Sequence, residues 1–352
     1  MNRRKKNDTV LIVQIACLGD ELLFNLRIAN LRKGSILIIN RASRTSPRQR
    51  VMCPREDIFL LCMAEVKKEI TYEEQLEILR NRGAIIVDDA FCRQKLAEIN
   101  YYRLTAYFLP FRQEDGSYVE GTSFHKVYRI YEFNRKLRWI LFAAVEEVEI
   151  YLRAKLAYLH AQKYGSLGYL DAGNFSLQYQ SDKFNENIER EIQNNSKALF
   201  VKHHVTKYNG KFPVWVIVEL FTLGMLSQFY ADMITVDKKE LAKSLYSTTP
   251  KNLISWLRCV TDLRNICAHY GRLYYRIFTA SPAGFNMFES SKRRLWGTLL
   301  ALKELYPEKE KWNSETLEAI TALVEEYCGD IDLYHIAFPC RLERSVEKEN
   351  RR

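Results

Sequence analysis

The feature that most constrains the fold is a long stretch without helix breakers between Gly121 and Gly165. No glycine or proline occurs within it, and its apolar residues keep a helical period. Apolar residues recurring every three to four positions predict an amphipathic helix. Glu149 and Arg153 are four residues apart on it, a spacing that favours an ion pair on the helix surface or in a groove. The stretch therefore predicts one long helix.

The segments around this helix also have helical patterns. Thr71 and Glu74 form a capping box, which predicts a helix ending at Gly83. Asp88 or Asp89 is expected to cap the next helix, FCRQKLAEINYYRL, and the aromatic segment AYFLPFRQEDG comes after it. A polar helix is predicted over residues 181–208.

Two prolines then mark helix starts, where proline is tolerated. Pro213 leads PVWVIVELFTLGMLSQFYADM, which is apolar nearly all round and predicts a buried helix, and Pro250 leads the next helix along the chain. A Gly/Pro-marked loop at residues 281–284, a basic helix around residues 291–305 and a helix capped by Asn313 or Ser314 complete the pattern. The sequence thus predicts an all-α bundle.

Residues 1–62 differ in charge from the other residues of the chain, because they carry 12 Lys and Arg against 5 Asp and Glu. Their net charge of +7 leaves only +3 for residues 63–352, so the basic character belongs largely to this segment. The apolar runs at residues 9–18 and 35–39 are candidate strands, and residues 41–50 have a disordered, basic composition. We interpret this segment as an extension upstream of a start at Met63; the alternative is a genuine basic arm that helps to hold RNA.

Composition is that of a soluble globular protein, with 47% hydrophobic and 27% charged residues. No stretch approaches the roughly 18–20 apolar residues of a membrane-spanning helix. The eight cysteines are scattered without a CxxC pair, which favours reduced thiols and a cytoplasmic location. We predict no membrane association.

The candidate site lies in WLRCVTDLRNICAHYGRLYYR, residues 256–276. Its apolar period predicts a helix, and its polar positions include Arg264, Asn265 and His269. An arginine binds phosphate through a planar fork, and a histidine can transfer a proton near neutral pH. This pairing suits RNA cleavage, because the 2′-OH nucleophile makes a metal unnecessary. No cluster of carboxylates or histidines that would hold a metal stands out, so no cofactor is predicted.

Several spaced motifs together resemble the bacterial abortive-infection (Abi) family, in its AbiD/AbiF-like branch, over roughly residues 65–340. The motifs are ITYEEQL (70–76), INYYRL (99–104), YEFNRKLR (131–138), PVWV (213–216), FTLG (221–224) and LRNICAH (263–269). Two positions depart from the family pattern. At Tyr270-Gly271 the family pattern has a second histidine or another bulky residue after His269, and Gly271 is expected to end the helix early. In the closing turn, Ala337 stands in place of glycine.

The resemblance implies the HEPN superfamily, whose helical bundles share an R-x(4–6)-H motif. It implies phage defence by a toxin that cleaves RNA without a metal and works as a homodimer, restrained by an antitoxin or a small RNA. The expected fold is then an all-α, HEPN-like bundle over residues 121–340. A helical and aromatic segment at residues 63–120 precedes it as an N-terminal helical extension, C-terminal helices complete it, and residues 341–352 are a polar tail.

The resemblance assigns Arg264 and His269 as catalytic residues and Asn265 as their polar neighbour. On an ideal helix Arg264 and His269 lie about 140° apart, so one protomer's site is expected to be incomplete and a second copy to complete it. Arg272 and Arg276, interleaved with Tyr270, are candidates for binding RNA. A solvated helix flank is the alternative for these three residues. The alternative function is a catalytically silent module that binds RNA or a protein.

Overall fold

The computed structural model of the chain describes residues 68–339 in full and, before them, the backbone of three strands. The chain separates into two units, Met1–Lys67 and Lys68–Arg352. In the first unit, β1 (Thr9–Leu18), β2 (Glu21–Asn30) and β3 (Ser35–Ile39) form an antiparallel sheet in the order β1-β2-β3. The predicted strands are confirmed and β2 is additional. The predicted disordered stretch at 41–50 and the polar tail at 341–352 lie outside the described residues.

Residues 68–339 form an all-α unit, which confirms the all-α part of the predicted fold. Its helices are α1 (Tyr72–Asn81), α2 (Asp89–Glu98), α3 (Tyr101–Thr105), α4 (Phe124–Tyr164), α5 (Ser181–Asn194), α6 (Leu199–Lys207), α7 (Val214–Ile217), α8 (Leu223–Asp232), α9 (Thr235–Tyr246), α10 (Pro250–Ala268), α11 (Glu289–Lys292), α12 (Leu295–Leu305), α13 (Lys309–Lys311) and α14 (Glu318–Glu326). Short 3-10 turns and one π-helical segment, Trp312–Leu317, join some of them.

The 41-residue helix α4 is the centre of this unit. Ser123 caps its start by accepting a hydrogen bond from the Lys126 amide, and Gly165 ends it with a φ of 75°. One side of α4 is buried along its whole length, and it packs against α10, α7, α14, α8 and α12. The long breaker-free stretch is therefore a single continuous helix, as predicted. The predicted pair on it is also present, with Arg153 Nη2 donating to Glu149 Oε1 at 2.9 Å.

Both predicted helix caps at the start of this unit are present. Thr71 accepts from the Glu74 amide, and the Glu74 carboxylate accepts from the Thr71 amide, so the capping box is complete. Asp88 caps α2 through the Phe91 amide.

Four predicted helices are wrong in extent, and at two of the four breaks a side chain caps the helix that follows. The second predicted helix breaks at Asn100, whose side chain caps α3. The polar helix over 181–208 is two helices, α5 and α6, and the basic helix near 291–305 is α11 and α12. The helix led by Pro213 breaks at Phe221, and Thr222 then caps α8. The predicted cap at Asn313 or Ser314 is also wrong, since both lie inside the π-helical segment.

Among the described residues, no helix is both long enough and apolar enough to cross a membrane.

Candidate functional site

The site is built on the C-terminal half of α10. Thr249 caps the helix by accepting from the Asn252 amide, and Pro250 occupies its first turn, as predicted. Leu253, Leu257 and Val260 face the core and are completely buried. Packing of this face against α4, α8 and α12 fixes the rotation of α10, and with it the direction of the polar residues near its end.

The helix ends at Ala268, and His269 is its C-cap. The Tyr270 amide donates to the Cys267 carbonyl at 3.1 Å and the Gly271 amide donates to the Ile266 carbonyl at 2.7 Å. These two bonds form a Schellman motif. Tyr270 takes the left-handed position at a φ of 57°, where glycine is usual. The helix ends before Gly271, as predicted, but Gly271 serves close approach rather than left-handed backbone. A Cβ there would lie 2.9 Å from Ile266 Cγ2.

Arg264 points from α10 towards α4. Its Nε lies 3.8 Å from Glu149 Oε2, and its Nη1 reaches Asn265 Oδ1 at 3.5 Å, which is a weak contact. Glu149 itself accepts the closer bond from Arg153. Arg264, Glu149 and Arg153 line a shallow cavity of about 340 Å³ on the surface of α4. The guanidinium thus lies beside one carboxylate that a second arginine already binds.

His269 is exposed at the end of α10. Within the described part of the chain, its imidazole has no hydrogen bond, ion pair or ring contact. The side chain is therefore open to a ligand, and no neighbour fixes its tautomer. Arg264 lines the cavity beside Glu149, and His269 lines neither that cavity nor the larger one next to it. Arg264 and His269 therefore lie near the same end of α10 but do not line the same cavity.

The three predicted RNA-binding residues have different surroundings. The Arg272 guanidinium donates to the Ala106 carbonyl and lies 5.7 Å from the ring centre of Tyr107, so it is engaged inside the fold. Arg276 is exposed. The Tyr270 side chain is 67% exposed, and its backbone carbonyl accepts a hydrogen bond from Arg103.

Three residues that the sequence interpretation did not assign hold the turn after His269. Arg103 Nη1 donates to the Tyr270 carbonyl at 2.8 Å, and Arg138 Nη1 donates to the Gly271 carbonyl at 3.2 Å. The buried Asn134 side chain accepts from the Leu273 and Tyr274 amides through Oδ1, at 2.8 and 3.0 Å. These residues belong to the motifs INYYRL and YEFNRKLR. The motifs are visible in the sequence, but they do not show that these side chains bind the turn after His269.

Cys267, inside the arginine–histidine motif, is buried. Desolvation raises the pKa of its thiol to about 12. The thiol is therefore protonated at neutral pH and packs as a small apolar group, which excludes Cys267 as a ready nucleophile. In residues 68–339, no group of three or more His, Cys, Asp and Glu side chains is placed to hold a metal ion.

Comparison with known proteins gives one family. The family model described as "Abi-like protein" matches residues 94–275, just over half of the chain. The match includes α3, α4 and α10, and it ends just after the turn that follows His269. No curated protein and no solved structure matches the chain.

Proposed function

Because the chain belongs to the Abi-like protein family, which supports a role in phage defence by abortive infection, we propose that it is a metal-independent endoribonuclease. Arg264 and His269 are its proposed catalytic residues, and Asn265 is their polar neighbour. The observation that supports this most directly is the exposed imidazole of His269, which follows an arginine of the same helix. It makes no hydrogen bond, ion pair or ring contact with the described residues.

The chemistry follows from these two side chains. The imidazole of His269 takes the proton from the 2′-OH, whose oxygen attacks phosphorus as the bond to the 5′-oxygen breaks. The leaving 5′-oxygen takes its proton from a general acid, and the imidazolium formed at His269 gives its proton to water. The products are a 2′,3′-cyclic phosphate and a free 5′-hydroxyl. Such a base contributes on the order of 10²–10⁴ in rate. The guanidinium of Arg264 stabilises the negative charge that develops on the phosphoryl oxygens. DNA lacks the 2′-OH and is not a substrate.

Two copies of the chain are part of this proposal. In one protomer Arg264 lines a cavity that His269 does not, and Arg264 lies near Glu149. A second copy, related by a two-fold axis, would supply the acid that protonates the 5′-oxygen and the further positive charge that the phosphoryl oxygens need. The proposal also includes a cytoplasmic location and a restraint on activity in uninfected cells, by an antitoxin or a small RNA.

The test is cleavage of single-stranded RNA by the purified protein in EDTA. We expect products that end in 2′,3′-cyclic phosphate, and loss of cleavage in both Arg264→Ala and His269→Ala. Arg258→Ala is the matched control, because Arg258 is an exposed arginine on the same helix. His203→Ala serves the same purpose for histidine, since His203 is exposed on α6. Urea unfolding of each variant separates loss of chemistry from loss of folding.

A silent module that binds RNA or a protein is the second candidate. The observation that favours it is the neighbourhood of Arg264, whose Nε lies 3.8 Å from the Glu149 carboxylate and whose side chain is only 31% exposed. Phage protection in cells distinguishes the two candidates. If Arg264→Ala and His269→Ala keep full protection, the nuclease proposal is wrong. If both lose protection while the wild-type protein cleaves no RNA, binding is the better account.

A further inference from the structure

A second cavity lies beside the end of α10 and is about twice as large as the one at Arg264. Its volume is about 710 Å³, within the range of small-ligand sites. Residues from the end of α2, from α3, from the first half of α4, from the end of α10 and from the turn after His269 line it. Ala268 and Tyr270, the neighbours of His269 in the chain, are among them. The cavity therefore adjoins the chain on both sides of His269, whose imidazole we propose as the catalytic base.

Two aromatic side chains at this cavity are largely open to solvent. Trp139 is 74% exposed and Tyr270 is 67% exposed. The Trp139 ring is supported from one side, because the Arg135 guanidinium lies 5.9 Å from its centre. Arg135 is itself bound by the Glu132 carboxylate, with contacts of 2.8 to 3.2 Å. Exposed aromatic rings of this kind are platforms for nucleobases, which stack on them with little dependence on sequence.

The charge at the cavity favours an anionic ligand. Three arginines line it, Arg103, Arg135 and Arg138, against one carboxylate, Glu98. Glu98 is bound by Lys95 at 2.7 Å and Arg135 by Glu132 at 2.8 Å, so each of these two charges is offset. Arg103 and Arg138 then leave an excess of positive charge at the cavity. Arg103 is exposed, and among residues 68–339 it binds the Tyr270 carbonyl through Nη1 alone, so its other N–H groups can bind a phosphate.

We propose that this cavity is a nucleobase subsite for single-stranded RNA. An unpaired base stacks on Trp139 and Tyr270, and Arg103 binds the phosphate next to it. The subsite rests on the proposed function and narrows it to RNA with unstacked bases, because a duplex keeps its base faces covered. A concave surface lined by arginines and by exposed aromatic rings fits a nucleotide better than an apolar protein partner.

The test measures binding in the His269→Ala protein, where RNA stays intact. The probes are a fluorescein-labelled ten-nucleotide oligoadenylate and a labelled blunt RNA duplex, followed by anisotropy. We expect Trp139→Ala and Tyr270→Ala each to weaken binding of the single strand by about 5- to 150-fold, the effect of losing one stacked base. Trp139→Phe should keep most of the affinity. Trp215→Ala is the matched control, since Trp215 is another exposed tryptophan, on α7.

Three results would overturn the subsite. The first is an unchanged affinity for the single strand in Trp139→Ala, or no binding of the single strand at all. The second is an equal loss for the duplex. The third is a Trp139→Ala protein that loses self-association in sedimentation while its RNA affinity is unchanged. That result would make this surface a protein interface. Cleavage by the wild-type protein is scored separately, so a protein that cleaves RNA without using Trp139 refutes only the subsite. A protein that binds through Trp139 but never cleaves refutes only the nuclease.

Discussion

Replacing Asn134 by alanine tests how the turn after His269 is held. Asn134 is fully buried on α4, and its Oδ1 accepts from two buried amides, those of Leu273 and Tyr274. Each buried amide left without a partner costs about 1–3 kcal/mol. The substitution also removes the Asn134 Nδ2 group, which is buried without a partner, and this offsets part of the cost. We expect the free energy of unfolding to fall by about 3 kcal/mol.

The measurement is urea unfolding with a common m-value, so that a shift in midpoint reports stability alone. Asn100→Ala is the matched control, because the Asn100 side chain also accepts a hydrogen bond from a backbone amide, that of Tyr102. Asn100 is exposed, so water can bind that amide when the side chain is removed. Loss of that helix cap should cost only about 1 kcal/mol. Equal losses in the two variants, or a loss below about 1 kcal/mol for Asn134→Ala, would refute the view that Asn134 fixes the turn.

Three further predictions concern residues away from the site. Asp237→Ala should cost about 2 kcal/mol in urea unfolding, because its buried carboxylate binds Lys163 and Tyr164, each at 2.7 Å; a loss within about 0.5 kcal/mol would contradict this. Thr71→Ala should cost about 1 kcal/mol and Thr71→Ser much less, since only the first removes the capping hydroxyl. Burial lowers the pKa of His160, so the unfolded chain binds its proton at a higher pH than the folded chain. Stability should therefore fall as the pH drops below about 6.5, and a His160→Leu variant that kept the same pH dependence would show that other groups cause it.

The parts of the fold that were predicted correctly are those specified by neighbouring residues. The extent of α4 follows from an unbroken apolar period between two glycines, and the start of α1 from a capping box of four residues. The breaks at Asn100 and Thr222 were missed although both residues are good caps. The apolar pattern continues across each break, so the period alone cannot show where one helix stops.

For the candidate site, the helix and its end could be predicted, but the contacts around it could not. Arg264 and His269 are visible as a motif because they are five residues apart. Arg103, Asn134 and Arg138 reach the same turn from more than 130 residues away, and a single sequence carries no signal for contacts at that separation. The engagement of Arg272 with the Ala106 carbonyl is hidden for the same reason.

The binding of the Tyr270 and Gly271 carbonyls by Arg103 and Arg138 has a consequence for genetics. In a selection for bacteria that lose phage protection, substitutions at these arginines and at Asn134 should appear beside those at Arg264 and His269. Protein abundance would then sort the isolates into two groups. The first group would lose the folded protein, and the second would keep normal amounts of a protein that no longer acts. Residues in the first group would be needed to build the site, and residues in the second to operate it.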